Sequence, residues 1–460
     1  MQSVQTEDSK AIEIIMKSAR QTGLDIKGGK VIRASSRFCF GVEHGDYNGT
    51  ELFGIGTDKF TWIGYKPNGT TQMRLFSANF PSDNVIRFNL DGDIPARKSA
   101  EIRETWGRFP LGTEYVRREV IARQLIDEIQ LRVYMGKLNQ GADVVVYGNI
   151  PGGGMSRSAS LTNGLWLLRF DMAGISITEH NQKLEIVDLA QAVENEYIGS
   201  PCGKLDQTMI MFGQAGMGTR YNPKNRSIEY VKFGGDINSF RLAIMDTGTD
   251  RPGLEKSTYA LRRRECERLV EILNECPEFV KIIKDKGPIT CLADIKDEEL
   301  YNRIMAEQIT GEYLEQVSTD IGIAVPISEK RLKDRLNYIF HAQQRFYQMI
   351  NHWKAGNIIE VGAIFRKDGI GLRDDYKISG PELETMCDIA RGVYGVVGER
   401  MLGGGDKGAS GALVWSDAVH RLQVAIELGY KASRPQYADK CAFHVCKAVD
   451  GIKIFENVLN

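Results

Sequence analysis

The sequence predicts an α+β protein that is divided into two domains. The 460-residue length exceeds the usual size of one domain. Short β-branched runs next to turn residues alternate irregularly with longer amphipathic segments, rather than in a regular strand–helix–strand series. We expect an N-terminal domain over residues 1–234 and a C-terminal domain over 235–460. Residues 277–330 are charged and weakly patterned, which predicts an insertion or a solvated subdomain.

The first predicted domain begins with a helix, followed by several strands. Apolar residues at helical spacing indicate the helix, and β-branched or aromatic runs indicate the strands. The turn Pro67-Asn68-Gly69 predicts that its two flanking strands form a hairpin. The predicted strands are 31–40, 59–65, 71–77, 85–90, 142–147, 219–221 and 227–233, and the predicted helices are 7–25, a helix-biased region at 96–139, one that opens at 161–168, 186–197 and 205–212.

The second predicted domain combines long helices with a few strands. A strand of buried character at 240–246 precedes a helix with interspersed charges, and an amphipathic helix rich in aromatic residues covers 331–356. Glycines cluster over 403–411, just before another strand. The remaining predicted elements are helices at 257–274, 383–394 and 419–430, and strands at 412–415 and 442–447.

Composition argues against several classes of partner. The 59 basic and 60 acidic residues give a net charge of −1, which provides no footprint for nucleic acid or a membrane surface. No apolar run approaches the ~20 residues that span a bilayer. The eight cysteines are scattered, and the six histidines form no metal-binding motif. We therefore expect a cytoplasmic protein with reduced thiols, as a monomer or weak homodimer.

A glycine-rich stretch lies between the strand at 142–147 and the helix that follows. Glycines let the backbone approach a ligand closely, and the free N–H groups of a helix N-terminus attract anions. This arrangement predicts a phosphate-binding loop, although a plain glycine turn with a serine cap is the alternative. The stretch matches neither the P-loop nor the dinucleotide pattern. Its central residues are Gly152, Gly153, Gly154, Met155, Ser156, Arg157 and Ser158.

A second polar loop follows the strand at 31–40. Arg37, Glu43, His44, Asp46 and Tyr47 lie within eleven residues of one another. Carboxylates accept hydrogen bonds from neighbouring hydroxyls, so paired acidic residues suit a polyhydroxylated ligand such as a sugar. The alternative is a solvated loop whose polar side chains form turns.

Five segments in order resemble the motifs of the GHMP kinases, and among these most closely the galactokinases. The resemblance implies a two-domain GHMP kinase fold with its active site in the cleft between the domains. It also implies an ATP-dependent kinase that phosphorylates the anomeric hydroxyl of galactose or a related sugar. The segments are 33–49, similar to P-G-R-V-N-L-I-G-E-H-T-D-Y-N-G-G, 152–159, similar to G-x-G-L-S-S-S-A, 200–207, similar to V-P-C-G-I-M-D-Q, 372–383, similar to L-R-D-D-Y-x-x-S-x-P-E-L, and 400–405, similar to R-M-T-G-G-G.

The resemblance also implies roles for individual residues. Asp206 would be the general base or orient the sugar hydroxyl, and Arg37 would keep it ionised and stabilise the transferred phosphoryl group. The alternative for Asp206 is a helix N-cap. Ser158 and Glu194 would bind Mg²⁺, a hard cation that prefers oxygen ligands. The seven residues 152–158 would bind ATP, and the sugar contacts would be Glu43, His44, Asp46, Tyr259 and Gly404. Arg251 would have a supporting role.

Several departures from the family pattern leave the acceptor open. The glycine stretch is one residue short after Pro151, and Arg157 replaces a serine. Asp406 and Lys407 stand where the family has Phe-Gly. The alternative acceptors are an N-acetylated sugar, a pentose or a uronic acid, although Glu43 and Asp46 would repel the carboxylate of a uronic acid unless Lys407 or Arg157 compensates. A non-catalytic sugar and ATP sensor on the same fold is a further alternative. A mevalonate or homoserine kinase would leave the polar loop unexplained.

Overall fold

The computed structural model describes residues 2–97, 99, 105–123, 138–250, 258–314, 316–318 and 324–460. Most of the predicted helix-biased region after residue 123 and the segment 251–257, which includes Arg251, lie outside these ranges. Among the helices of the described ranges, none combines the length and the apolar character needed to span a bilayer. All eight cysteines are free thiols.

The larger of the two main sheets has eight strands and contains the strand that leads into the predicted sugar loop. Its strands are β1 (Lys30–Gly41), β2 (Leu52–Pro67), β3 (Gln72–Ser77), β4 (Ile86–Asn89), β5 (Ala142–Gly148), β6 (Met217–Asn222), β7 (Ser227–Lys232) and β14 (Ile452–Phe455). They follow the order β14-β1-β2-β5-β3-β4, and β6 joins β7 to the start of β2. Strand β1 is buried along nearly its whole length, because both faces of the sheet are covered.

Helices of the N-terminal half cover both faces of this sheet. They are α1 (Gln2–Thr22), α2 (Arg108–Arg123), α3 (Arg157–Met172), α4 (His180–Ala192) and α5 (Leu205–Met211). Successive residues of a strand point to opposite faces, so Val31 packs with Ile15 of α1, whereas Ile32 packs with Leu165 of α3. A π-helical turn, Val193–Ile198, extends α4 and carries Glu194.

The predicted hairpin at Pro67-Asn68-Gly69 is wrong, because β5 lies between β2 and β3. Strand β2 pairs antiparallel with β5, and β3 pairs parallel with β5. The turn bonds to the approach to β5 rather than across itself: Asn68 N donates to Gly141 O over 3.2 Å. The buried Asp143 carboxylate then accepts from Asn68 Nδ2 at 3.1 Å. The chain does turn after Pro67, but the long-range partner β5 decides the topology.

The second sheet lies in the C-terminal half and has four strands. They are β8 (Phe240–Asp246), β11 (Val396–Met401), β12 (Ala409–Trp415) and β13 (Ala442–Cys446), in the order β11-β12-β8-β13. The helices of this half are α6 (Thr258–Glu275), α7 (Pro277–Ile283), α8 (Glu298–Ala306), α9 (Glu329–Lys354), α10 (Ile358–Asp374), α11 (Pro381–Arg391) and α12 (Val419–Ser433). Helices α11 and α12 cover one face, and α6, α9 and α10 cover the other. A separate pair, β9 (Gln316–Ser318) and β10 (Ala324–Pro326), forms a short two-stranded sheet.

The described part of 277–330 is packed into the core, so the predicted alternative of a solvated subdomain is wrong. Phe279, Leu292 and Ile304 are fully buried and belong to the same core as α6 and α9. The segment looks solvated in sequence because its short helices turn charged residues outward and only a narrow apolar stripe inward. Helix α10 and strands β11 and β14 were not predicted. The pairing of β14 with β1 places a strand from the C-terminal half in the first sheet.

We predict that Arg74→Ala destabilises the protein through the parallel pairing of β3 and β5. Arg74 Nε and Nη2 bond to the Asp143 carboxylate at 2.6 and 2.5 Å, and Asp143 is fully buried. Removing the guanidinium leaves the buried carboxylate of Asp143 with one partner fewer. We expect a cost of ~2 kcal/mol in the free energy of unfolding, and no more than that because Arg74 itself is partly exposed. Thermal unfolding should shift down by a few degrees. Arg87 is exposed and lies on β4 directly opposite Arg74 of β3, so Arg87→Ala is the control. Equal melting temperatures for the two variants would contradict the prediction.

Candidate active site

An arginine–aspartate pair joins the strand β1 to the start of helix α5. Arg37 Nε and Nη2 each lie 2.7 Å from Asp206 Oδ1, and Arg37 Nη1 donates to Gly154 O at 2.6 Å. The arginine side chain is 2% exposed, whereas that of Asp206 is 32% exposed. Burial by itself would lower the pKa of Arg37, but the nearby carboxylates of Asp206 and Glu43 outweigh it and raise that pKa. The guanidinium is thus a fixed positive charge between Asp206 and the glycine loop.

Asp206 is not the N-cap of its helix. Lys204 occupies that position, and Asp206 is the second helical residue. Its carboxylate binds Arg37 instead of capping the helix, and the free side of the group faces a cavity of about 510 Å³. A partly exposed carboxylate that is held on one oxygen by a buried arginine is suited to accept a hydrogen bond from a ligand in the cavity.

The glycine stretch forms one wall of the same cavity. All seven residues from Gly152 to Ser158 line it. Gly154 and Ser156 have left-handed backbones, with φ of 78° and 61°, and helix α3 starts at the next residue, Arg157. The N-terminus of α3 therefore points its unpaired N–H groups toward the cavity, as an anion site requires.

The two glycine clusters of the chain pack directly against each other. A Cβ atom on Gly153 would lie 2.5 Å from the Cα of Gly408, and one on Gly403 would lie 2.8 Å from the Cα of Gly154. Such separations are shorter than any real Cβ contact, so both loops need glycine here. This contact brings Gly404, with Gly403, to the rim of the cavity.

Ser158 and Glu194 meet in the cavity wall. Their side chains are hydrogen-bonded to each other, and Gln207 Nε2 donates to Glu194 Oε1 at 3.2 Å. Burial, and then the charge of Asp206, raise the pKa of Glu194 to about 7. A hydroxyl and a carboxylate, close to a second carboxylate, are oxygen ligands that fit Mg²⁺, with phosphates and water completing its coordination.

The far side of the cavity consists of residues that the sequence did not predict. Asn79 and Phe80 on the loop after β3, Trp106 just before α2 and Phe109 in the first turn of α2 line it. Phe80 is an exposed aromatic residue, which is a signal, but one that becomes visible only in three dimensions. Arg157 also belongs here: its guanidinium lies 5.7 Å from the centre of the Phe80 ring, and Nη2 donates to Gly152 O at 3.3 Å.

The carboxylates of the predicted sugar loop are held by the second half of the chain and by α5. Glu43 Oε1 accepts from Gly403 N at 2.9 Å and lies 3.4 Å from Arg400 Nη2. Asp46 Oδ2 accepts from Leu205 N at 3.3 Å, next to Asp206. Burial and the charge of Asp206 raise the pKa of Asp46 to about 6. This loop is therefore packed against α5 and the second glycine cluster, and it is not a solvated turn.

Aromatic rings surround the same loop. The ring of His44 is 5.0 Å from that of Tyr259 in α6, and Tyr47 is 5.5 Å from Tyr259. Thr258 Oγ1 donates to Asp406 Oδ2 at 3.4 Å, so Asp406, which replaces the phenylalanine of the family, touches α6 beside Tyr259. Of the predicted sugar contacts, Gly404 lines the cavity, whereas Glu43, His44, Asp46 and Tyr259 are not part of its lining.

Comparison with known proteins agrees with this geometry. A family model described as the N-terminal domain of GHMP kinases matches residues 115–214. The galactokinase of Exiguobacterium sibiricum is 27% identical over 398 residues, which is 85% of this chain and 87% of the relative. That of Fusobacterium nucleatum is also 27% identical, over 89% of this chain and 90% of its own. These matches support placing the chain in the galactokinase-like branch of the GHMP kinases.

Solved structures of a galactokinase and a mevalonate kinase have the fold of this kinase. A crystal structure of Lactococcus lactis galactokinase complexed with galactose superimposes with a TM-score of 0.75 at 24% identity, covering 96% of this chain and 98% of that one. A mevalonate kinase reaches a TM-score of 0.52 at 15% identity, with 91% of this chain and 99% of that one covered. The predicted α+β GHMP kinase fold is confirmed by these structures. The assignment to the sugar kinases is confirmed by the galactokinase relatives.

We predict that Gly153→Ala separates the two glycine loops of this kinase and weakens ATP binding. Its Cβ would collide with the backbone of Gly408, which cannot yield as a flexible side chain would. The neighbouring Gly152→Ala is a matched control, because its Cβ would lie 3.6 Å from Asp246 Oδ2, an ordinary contact. Calorimetric titration with ATP should show a loss of roughly tenfold or more for Gly153→Ala alone, which corresponds to ~1.4 kcal/mol. Equal affinities in both variants would show that the loop contact does not shape the ATP site.

Proposed function

We propose that this enzyme transfers the γ-phosphoryl group of ATP to the anomeric hydroxyl of galactose or a closely related sugar. The observation that carries the proposal is the Arg37–Asp206 pair, which lies on the wall of the cavity that the glycine loop also lines. The likeness to a galactokinase bound to galactose, and to two other galactokinases, supports galactose as the acceptor.

The nucleotide would lie across the larger part of the cavity. Its phosphates would meet the backbone of Gly152–Ser158 and the N-terminus of α3, which favour negative charge. Phe80 and Trp106 on the far side offer aromatic surface for the base. Arg157, between Phe80 and the glycine loop, adds a cation near the phosphates. Ser158 and Glu194 would hold Mg²⁺, which supplies charge neutralisation of the phosphates when bound.

The chemistry would consist mainly of positioning and charge stabilisation. Arg37 occupies Oδ1 of Asp206, so Oδ2 is left to accept the proton of the sugar hydroxyl. The sugar oxygen then bonds to the γ-phosphorus, the bond from that phosphorus to the β,γ-bridging oxygen breaks, and ADP leaves. Arg37 would stabilise the charge on the transferred group, since it is buried and rigidly held on Gly154 O.

The acceptor would be a neutral sugar. Glu43, Asp46 and Asp206 place three carboxylates around it, opposed by the guanidiniums of Arg37 and Arg400. Carboxylates bind hydroxyls well and repel a sugar acid. Galactose is therefore favoured over a uronic acid, and N-acetylated sugars and pentoses are compared directly in the assay below.

We predict ADP release that depends on the presence of a sugar. A coupled ADP assay over a panel of galactose, N-acetylgalactosamine, glucose, arabinose and galacturonate should show the highest kcat/KM with galactose. Galacturonate should have the lowest kcat/KM of the six-carbon substrates in the panel. ATP binding without turnover of any sugar in the panel would contradict the kinase proposal and support the sensor alternative.

We predict that Asp206→Asn lowers kcat on the order of 10²–10⁴-fold, the usual contribution of a general base. ATP affinity, measured by calorimetry, should be unchanged, because the amide keeps the size of the carboxylate and Asp206 does not form the glycine loop. Asp171→Asn is the matched control: Asp171 pairs with Lys30 away from the cavity. Wild-type turnover by Asp206→Asn would show that this side chain is not the base.

A further inference from the structure

A buried chain of hydrogen bonds lies behind the predicted sugar loop and joins three distant segments. The Nδ1 atom of His44 is 2.8 Å from the hydroxyl of Tyr47, which is 2.7 Å from the hydroxyl of Tyr376. The Tyr376 hydroxyl is also 3.2 Å from Cys266 Sγ in α6. Asn48 Nδ2 donates to His44 O at 2.7 Å and lies 3.4 Å from the same hydroxyl. Tyr376 is thus the meeting point of the chain.

Packing fixes the position of Tyr376 independently of these bonds. Its side chain is fully buried, and its ring lies 4.9 Å from that of Tyr338 and 5.0 Å from that of His44. The guanidinium of Arg335 lies 5.4 Å from the ring centre. The backbone N–H of Tyr376 donates to Gly371 O at the end of α10. The hydroxyl is therefore presented to the sugar loop by a rigid part of the C-terminal half.

One donor in the chain is fixed by its chemistry. Asn48 Nδ2 can only donate, so it directs a hydrogen at the Tyr376 oxygen. The remaining contacts join hydroxyls, a thiol and an imidazole, each of which can donate or accept, so the chain stays connected whichever way its protons point.

We infer that Tyr376 is a positioning residue for the acceptor sugar, acting through Tyr47 on His44. The hydroxyl of Tyr376 holds Tyr47, and Tyr47 fixes the orientation of the His44 ring in the loop that also carries Glu43 and Asp46. The resemblance to galactokinases included this tyrosine in a motif but gave it no role. The inference rests on the proposed function, because it treats the loop as the acceptor site.

Tyr376→Phe tests the inference, because it removes the hydroxyl and keeps the packed ring. The KM for galactose should rise roughly 3–10-fold, the effect of one buried hydrogen bond, while kcat and the KM for ATP stay near their original values. Tyr47→Phe should give the same rise. The double variant should be no worse than either single one, since both act through one chain.

Tyr65→Phe is the matched control. Tyr65 is equally buried and bonds to Asp171 at 2.7 Å, far from the cavity lining. It should lower the melting temperature without changing the KM for galactose. If Tyr376→Phe behaves as Tyr65→Phe does, or if the effects of Tyr376→Phe and Tyr47→Phe add, the inference is overturned. Where Tyr376→Phe does not fold, Tyr47→Phe carries the same comparison.

A second readout separates this inference from the proposed function. If the parent enzyme turns over no sugar, the proposed kinase activity fails, but galactose can still raise the melting temperature by binding. Loss of that rise in Tyr376→Phe and Tyr47→Phe, with the rise caused by ATP retained, supports the positioning role. The inference is overturned if galactose raises the melting temperature of the variants as much as that of the parent. It is also overturned if galactose does not raise the melting temperature of the parent.

Discussion

The contact between the two glycine loops is the constraint on which the site depends. Gly153 and Gly154 meet Gly408 and Gly403 backbone to backbone, without room for a side chain. Arg37 is bonded to Gly154 O and Glu43 to Gly403 N, so the proposed catalytic pair and the predicted sugar loop are both anchored to this contact. Two segments 250 residues apart in sequence can form one active site only because glycine lets their backbones touch.

The site buries several carboxylates, and their burial shapes what it can bind. Burial raises the pKa of Glu43, Asp46 and Glu194, because it disfavours the charged form of each group more than the surrounding protein favours it. Hydroxyl groups of a neutral sugar satisfy such carboxylates, and a divalent cation offsets both them and the phosphates. Acceptor, nucleotide and cation would therefore stabilise one another in the cavity.

Local chemistry made the loops predictable, whereas long-range packing hid other elements. The glycine stretch and the polar loop are contiguous in sequence, so their roles could be inferred before the structure. The prediction of a hairpin between β2 and β3 is wrong because β5 lies between these two strands. Helix α10 was missed because Gly362 and Gly369 weaken its helical pattern, yet both glycines are needed where α10 lies against Val397 and Arg400 of β11. The aromatic side of the cavity comes from separate loops without a shared motif.

The pairing of β14 with β1 has a consequence for how the active site is acquired during folding. Roughly 400 residues separate these partners, and closing so long a loop is slow compared with forming local helices. During synthesis, the strand that carries Arg37 therefore has an open edge until β14 has left the ribosome. Catalytic competence would emerge in a late, cooperative step, and a nascent chain with an exposed β1 edge would be the stage most vulnerable to aggregation.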